Sequence, residues 1–216
     1  MITSKNLCYT YPNGTIGLSE VSFELKAGEI GFLIGESGSG KTTLLNLIMG
    51  ILRPSLGELT VLGREMKKIS ASEIIRLRRE IAPVFQDFRL LDGRSALENV
   101  MLSIRFLKLG NIKKRAEEAL EKVGLASKIK TPVENLSYGQ RQRVAVARAL
   151  VREPSLILAD EPTGNLDKQN AENVISLIMD LKSHSTAAII STHQLSLLPS
   201  ENKVLILEMR EGKLLE

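Results

Sequence analysis

The sequence predicts an α/β fold with an N-terminal antiparallel β-subdomain and an inserted α-helical subdomain, and three observations predict it. The opening third alternates apolar and polar residues like a half-buried sheet. Residues 29–52 then read as strand, glycine-rich loop and helix. From about Ser70 to Val151 the chain turns helical and charged, after which short apolar strands return.

The elements follow in order. Leu18, Val21, Phe23 and Leu25 are apolar at mostly two-residue spacing, with turns at Asn13-Gly14 and Ala27-Gly28. Glu29–Ile34 is a short buried strand. Thr43–Leu52 has helical character and stops before Pro54. Candidate helices cover Ser72–Glu80, Ala96–Leu109, Ile112–Val123 and Gly139–Val151, punctuated by Gly93, Gly110 and Gly124. Leu156–Ala159 is a buried strand. Lys168–Lys182 is a helix with apolar Val174, Leu177, Ile178 and Leu181, and Ala187–Ser191 and Val204–Met209 are further strands. Proline and glycine mark turns rather than a long linker. The chain therefore reads as a single domain over residues 1–216, with its helical subdomain at about 87–150.

Composition narrows the function classes. At 216 residues, 43% hydrophobic and 25% charged, the chain can bury a sizeable core. The apolar runs Ala187–Ile190 and Val204–Leu207 fall far short of the roughly 18 residues that span a bilayer. The first residues, Met1-Ile2-Thr3-Ser4-Lys5, lack the layout of a signal peptide. The lone Cys8 offers no internal disulfide, so a cytoplasmic protein is expected, with Cys8 a buried strand residue. A net charge of +4 fits a solvated surface, or a weak preference for an anionic membrane face. Aromatics at 4%, not interleaved with basic residues, argue against nucleic-acid binding.

The loop Gly35-Glu36-Ser37-Gly38-Ser39-Gly40-Lys41-Thr42-Thr43 satisfies G-x-x-x-x-G-K-[ST], the P-loop of a P-loop NTPase core. Its glycines let the backbone turn N–H groups onto phosphate oxygens, and the helix that follows adds its positive end. Lys41 can reach the β- and γ-phosphates, and the Thr42 hydroxyl can ligate Mg²⁺. The strand ending Leu158-Ala159-Asp160-Glu161 puts carboxylates at a sheet edge. There Asp160 can serve Mg²⁺, and Glu161 can orient and deprotonate the attacking water. Strand-Asp-Glu alone is commonplace; behind a P-loop it is functional.

Leu136-Ser137-Tyr138-Gly139-Gln140 precedes the helix after it much as an N-cap would, and Ser137 Oγ and the Gly139 N–H could meet an anion. In position and order this segment resembles the LSGGQ signature of ATP-binding-cassette proteins, and the resemblance covers essentially the entire chain. Within it, Gln86 resembles the family's Q-loop glutamine, which touches Mg²⁺ or the attacking water. Asn165-Leu166-Asp167 resembles the D-loop, and His193 the switch histidine at γ-phosphate. Tyr11 resembles the aromatic that stacks on adenine, with Tyr9 its near competitor. Tyr138 departs from the pattern by replacing the first signature glycine; it can point outward or restrict the loop.

The resemblance implies ATP hydrolysis by two cassettes meeting head to tail. Lys41, Gln86, Glu161 and His193 are then the catalytic set. Tyr11, Gly35, Ser37, Gly38, Ser39, Gly40, Lys41, Thr42 and Thr43 bind ATP, and Thr42, Gln86 and Asp160 serve Mg²⁺. Ser137, Gly139 and Gln140 complete the nucleotide site of the other copy. A separate integral-membrane subunit is the implied partner, docked where Gln86–Leu91 meets the helical insert. Phe85–Leu91 and Pro162–Asp167 resemble the branch of lipoprotein-releasing, macrolide-export and cell-division ATPases, leaning towards the last. The alternative, a soluble cassette in DNA repair or translation, would be favoured by coiled-coil insertions or a second cassette, and neither is present.

Overall fold

A computed structural model describes residues 1–107, 109–164, 166–180, 185–199 and 204–215. Asn165, Leu181 and Lys182, named above, lie outside them.

Two sheets organise the chain. Ile2–Thr10 (β1), Ile16–Leu25 (β2), Leu56–Val61 (β4) and Arg64–Glu65 (β5) form an antiparallel sheet in the order β2-β1-β4-β5. Ile30–Ile34 (β3), Ile81–Phe85 (β6), Leu156–Asp160 (β7), Ala187–Thr192 (β8), Val204–Arg210 (β9) and Lys213–Leu214 (β10) form the other, in the order β10-β9-β3-β8-β7-β6. All its pairings are parallel except that of β10 with β9.

The imperfect alternation of β2 has a local cause. Glu20 takes φ +55°, and the pairing with β1 shifts register between Leu18 and Val21. This bulge lets two residues three apart face the same core, where both are buried. In β3, Ile30, Phe32 and Ile34 pack into one cluster and Leu33 into the other. A parallel strand covered on both faces has to be apolar throughout.

The helices are Lys41–Ile48 (α1), Ala71–Glu80 (α2), Ala96–Ile104 (α3), Ile112–Lys122 (α4), Tyr138–Leu150 (α5) and Lys168–Asp180 (α6). Helix α1 stops short of Leu52 because Gly50, at φ +65°, turns the chain left-handed. It buries Leu44, Leu45, Leu47 and Ile48 completely or nearly so. Each such side chain contributes about 1.5–3 kcal/mol relative to exposure. The α3 helix ends at Ile104 rather than Leu109, leaving through a turn closed by Leu107 N–H on the Ile104 carbonyl. No helix among the described residues is long and apolar enough to cross a membrane.

The charged stretch from Ser70 conceals a strand, β6. Pro83 sits inside it, and proline donates nothing to a ladder. It is tolerated because, among the described residues, β6 is the sheet edge and pairs with β7 alone. Helix α2 therefore leads into this edge strand, and Leu77 packs with Ile48, Met66 and Ile81. Helices α3, α4 and α5 follow β6 and share a second cluster with Phe32, Val84, Ile157 and Ile190. Asn99 on α3 is buried and binds the Leu91 N–H and the Leu91, Arg94 and Ser95 carbonyls, pinning the approach to the helix.

Register decides where chemistry gathers. Ile34 stands opposite Thr192, Ala159 opposite Ile190 and Phe85 opposite Asp160. The segments after β3, β6, β7 and β8 thus leave the sheet side by side at its carboxyl edge, where open α/β sheets bind ligands.

Candidate active site

The loop between β3 and α1 is shaped by glycines that cannot be replaced. Gly35 has φ +149°, and a Cβ there would lie 2.3 Å from the Met209 carbonyl oxygen. Gly40 has φ +106°, and a Cβ would meet the Gly17 carbonyl at 2.8 Å. The Ser39 N–H donates to the Glu36 carbonyl, and the Gly212 N–H donates to that of Ser39, clamping the loop against the β9–β10 turn.

Helix α1 starts without a side-chain cap, since its N-cap is Gly40. By contrast α2, α3, α4 and α5 are capped by Ser70, Ser95, Asn111 and Ser137. An uncapped helix start leaves its first N–H groups for an anion. Ser39 Oγ, buried beside it, has no hydrogen-bond partner here. A cleft of about 450 Å³ opens along Glu36, Ser37 and Gly38, faced by Glu208 and Arg210.

Lys41, nearly buried, donates from Nζ to the Gly35 and Glu36 carbonyls at 2.8 and 2.9 Å. It also stands 3.4 Å from Glu161 Oε1, while His193 Nδ1 lies 3.3 Å from Glu161 Oε2. Glu161 follows β7 at φ +43°, a left-handed conformation that is costly for a non-glycine residue. That turn directs its carboxylate to Lys41 and His193, whereas Asp160 faces Thr42. Thr42 Oγ1 donates to the Asp160 carboxylate at 3.1 Å.

Thr42 and Asp160 are hard oxygen donors within hydrogen-bond reach, and Gln86 lines the same cleft of about 490 Å³. That donor set fits Mg²⁺, which takes one or two protein oxygens and completes its shell with phosphate and water. Among the described residues no group of three or more His, Cys, Asp or Glu is placed to hold a metal. Gln86 also lies against Gly164, where a Cβ would approach its Nε2 to 3.0 Å.

The structure separates the two tyrosines. Tyr9 is buried in the core. Tyr11 is half-buried, and its Oη is 2.8 Å from Thr43 Oγ1, so the ring is tied to the first turn of α1. The rings meet edge to face, centroids 4.8 Å apart, and Tyr11 lies over the backbone of Gly17.

Ser137 and Gln140 bond each other as a capping box: Gln140 N–H donates to Ser137 Oγ and Ser137 N–H to Gln140 Oε1. The N-cap reading and the anion-facing reading thus describe one helix start. A Cβ on Gly139 would meet nothing closer than Asn170 Oδ1 at 3.6 Å, so the fold of this chain does not demand glycine there. Asp167 caps α6, accepting from the Asn170 backbone at 3.0 Å and its side chain at 2.6 Å. Those bonds, the backbone one foremost, hold its carboxyl below the usual range.

Ser191 escaped the sequence reading as a participant. Fully buried at the end of β8, its Oγ donates to Asp160 Oδ1 and accepts the Glu161 N–H, both at 2.8 Å. One hydroxyl thus orients both acids. Its only trace in the sequence is a polar residue ending the apolar run Ala187–Ile190.

Comparison with known proteins shows the family and the fold. The model of the ABC transporter family matches residues 18–164. The chain is 38% identical to the cell division ATP-binding protein FtsE of Escherichia coli K12, over 99% of this chain and 97% of that one. Its fold superimposes on the dimeric post-hydrolysis state of the ATP-binding cassette MJ0796, bound to ADP and Pi, with a TM-score of 0.88. That match is 32% identical and covers 100% of this chain and 97% of the other. CbiO1 from Clostridium perfringens, part of the ABC transporter complex CbiONQ, superimposes with a TM-score of 0.89 at 32% identity, over 100% and 86% of the two chains.

Proposed function

This chain belongs to the ABC transporter family as an ATP-hydrolysing cassette, and from that premise we propose how its residues divide the work. The observation that carries the reading is the convergence of Lys41, Glu161 and His193 beside an uncapped helix start. On binding, ATP phosphates exchange with the Gly35 and Glu36 carbonyls as partners of Lys41. Glu161 accepts a proton from water as the water oxygen bonds the γ-phosphorus and the bond to ADP breaks. His193 steadies the Glu161 carboxylate and faces the γ-phosphate, and Gln86 faces the attacking water. Thr42 and Asp160 would hold Mg²⁺, which would supply charge neutralisation for the phosphates.

Tyr11 is the adenine platform. Tyr11→Ala should raise the KM for ATP about tenfold or more with kcat little changed, since base–aromatic stacking is worth about 1–3 kcal/mol. Tyr11→Phe should keep most of the affinity. A KM unmoved by the alanine would remove Tyr11 from the site.

We read residues 1–216 as one cassette domain, with the helical segment at about 87–150 as its insert. The working unit is a pair of chains in which Ser137, Gly139 and Gln140 of one close over ATP held by the other. The FtsE, MJ0796 and CbiO1 likenesses support this pairing and a membrane subunit as partner. The chain then sits at the inner face of the membrane, in the cell-division branch by the kinship with FtsE. Purifying the chain from its native membrane tests this: an integral-membrane protein should co-purify in stoichiometric amount. Recovery of the chain alone, or with nucleic acid, would overturn it.

A further inference from the structure

The large side chain that replaces a signature glycine turns inward. Tyr138 Oη donates to the Gln86 carbonyl at 3.3 Å, and its ring meets Phe88 edge to face with centroids 4.5 Å apart. Phe88 is itself buried. It and Arg89 adopt φ +57° and +49°, two successive left-handed non-glycine residues, a conformation kept only where neighbours enforce it.

One helix supplies several of the neighbours that hold it. Arg148, near the end of α5, donates to the carbonyls of both Phe88 and Arg89. Its burial, and next the Arg152 charge, disfavour the charged form, and those carbonyls are its compensation. Arg141 lies 5.4 Å from the Phe88 ring centre. Helix α5 therefore grips the segment 86–89 at its first turn, its second and its last. The N-cap of that helix is Ser137. Tyr138 also lines the cleft shared by Thr42, Gln86 and Asp160.

We propose that Tyr138 is a positioning residue that locks the Gln86 segment to the start of α5, so that engagement of Gln86 at one ATP sets the aim of Ser137 at the other. This rests on the paired-cassette reading above. The tether joins, within one chain, groups that belong to two different nucleotide sites. A glycine at 138 offers neither ring nor hydroxyl, which leaves Arg141 and Arg148 to tie α5 to the segment.

The test uses the full chain carrying Glu161→Gln, which slows hydrolysis so that ATP-driven dimerisation can be read by sizing in ATP and Mg²⁺. Adding Tyr138→Gly should raise the ATP concentration for half-dimerisation about tenfold, the scale set by losing an aromatic pair and a hydrogen bond. ADP affinity of the monomer should stay within about twofold. Tyr138→Phe, which keeps the ring, should recover most of the loss. Phe88→Ala should add little once Tyr138 is gone, because the two act as a unit. A half-dimerisation concentration within about twofold of the parent overturns the proposal, as do additive effects of Phe88→Ala and Tyr138→Gly. If Tyr138→Gly abolishes ADP binding, Tyr138→Leu is judged by the same criteria. A parent that never dimerises overturns the paired reading itself, and the proposal with it; a parent that dimerises while Tyr138→Gly matches it overturns the tether alone.

Discussion

Lys41→Ala is expected to lower ATP turnover by about 10²–10³-fold, the scale of removing one preorganised charge from a phosphoryl-transfer site. The ammonium occupies a fixed point, held by two loop carbonyls and 3.4 Å from Glu161. It is nearly buried, so its field on the phosphates is weakly screened. Alanine also removes the donor that closes the loop on the Gly35 and Glu36 carbonyls. Affinity for ATP should therefore fall together with kcat. Turnover measured by phosphate release, alongside nucleotide titration, checks both; a variant with unchanged turnover would remove the loop from the chemistry.

Glu161→Gln should act in the opposite sense on assembly. Glutamine keeps the shape, with one oxygen left to accept from Lys41 and an NH2 in place of the other, yet it is no base, so hydrolysis should slow by about 10²–10⁴-fold. It also removes a negative charge from beside the incoming γ-phosphate, which favours the bound state. The two effects point the same way, towards an ATP-loaded pair that does not come apart. In sizing experiments the variant with ATP and Mg²⁺ should run at twice the 23.8 kDa of the chain, and at the monomer mass with ADP. A monomer under saturating ATP would exclude an ATP-glued dimer for the isolated chain.

The parts of the site that could be read in the sequence are those whose geometry is local. Gly35 and Gly40 take positive φ values and lie against backbone carbonyls, so the motif spacing carries its own conformation. Asp160 and Glu161 stand at the end of a short apolar strand, so their place at the sheet edge can be read from the local sequence. Ser70, Ser95 and Ser137 each stand three residues before Glu73, Glu98 and Gln140, a spacing that marks a helix start before any contact is known. The strand β6 was hidden because Pro83 and the surrounding charge suit a loop or helix end as well as an edge strand.

By itself, then, the sequence determined the α/β fold class and the glycine-shaped turn at Gly35–Thr42, because glycine backbone freedom and residue order are properties of short segments. Only the tertiary structure decided which tyrosine is core and which is tied to Thr43, that Ser191 orients both acids, and that Tyr138 turns inward. Those outcomes depend on pairs far apart along the chain, such as Tyr11 with Thr43, Glu161 with Ser191 and Tyr138 with Gln86. Such pairs meet only once sheet order and the course of α5 have brought them together, and no spacing rule within a short segment encodes that.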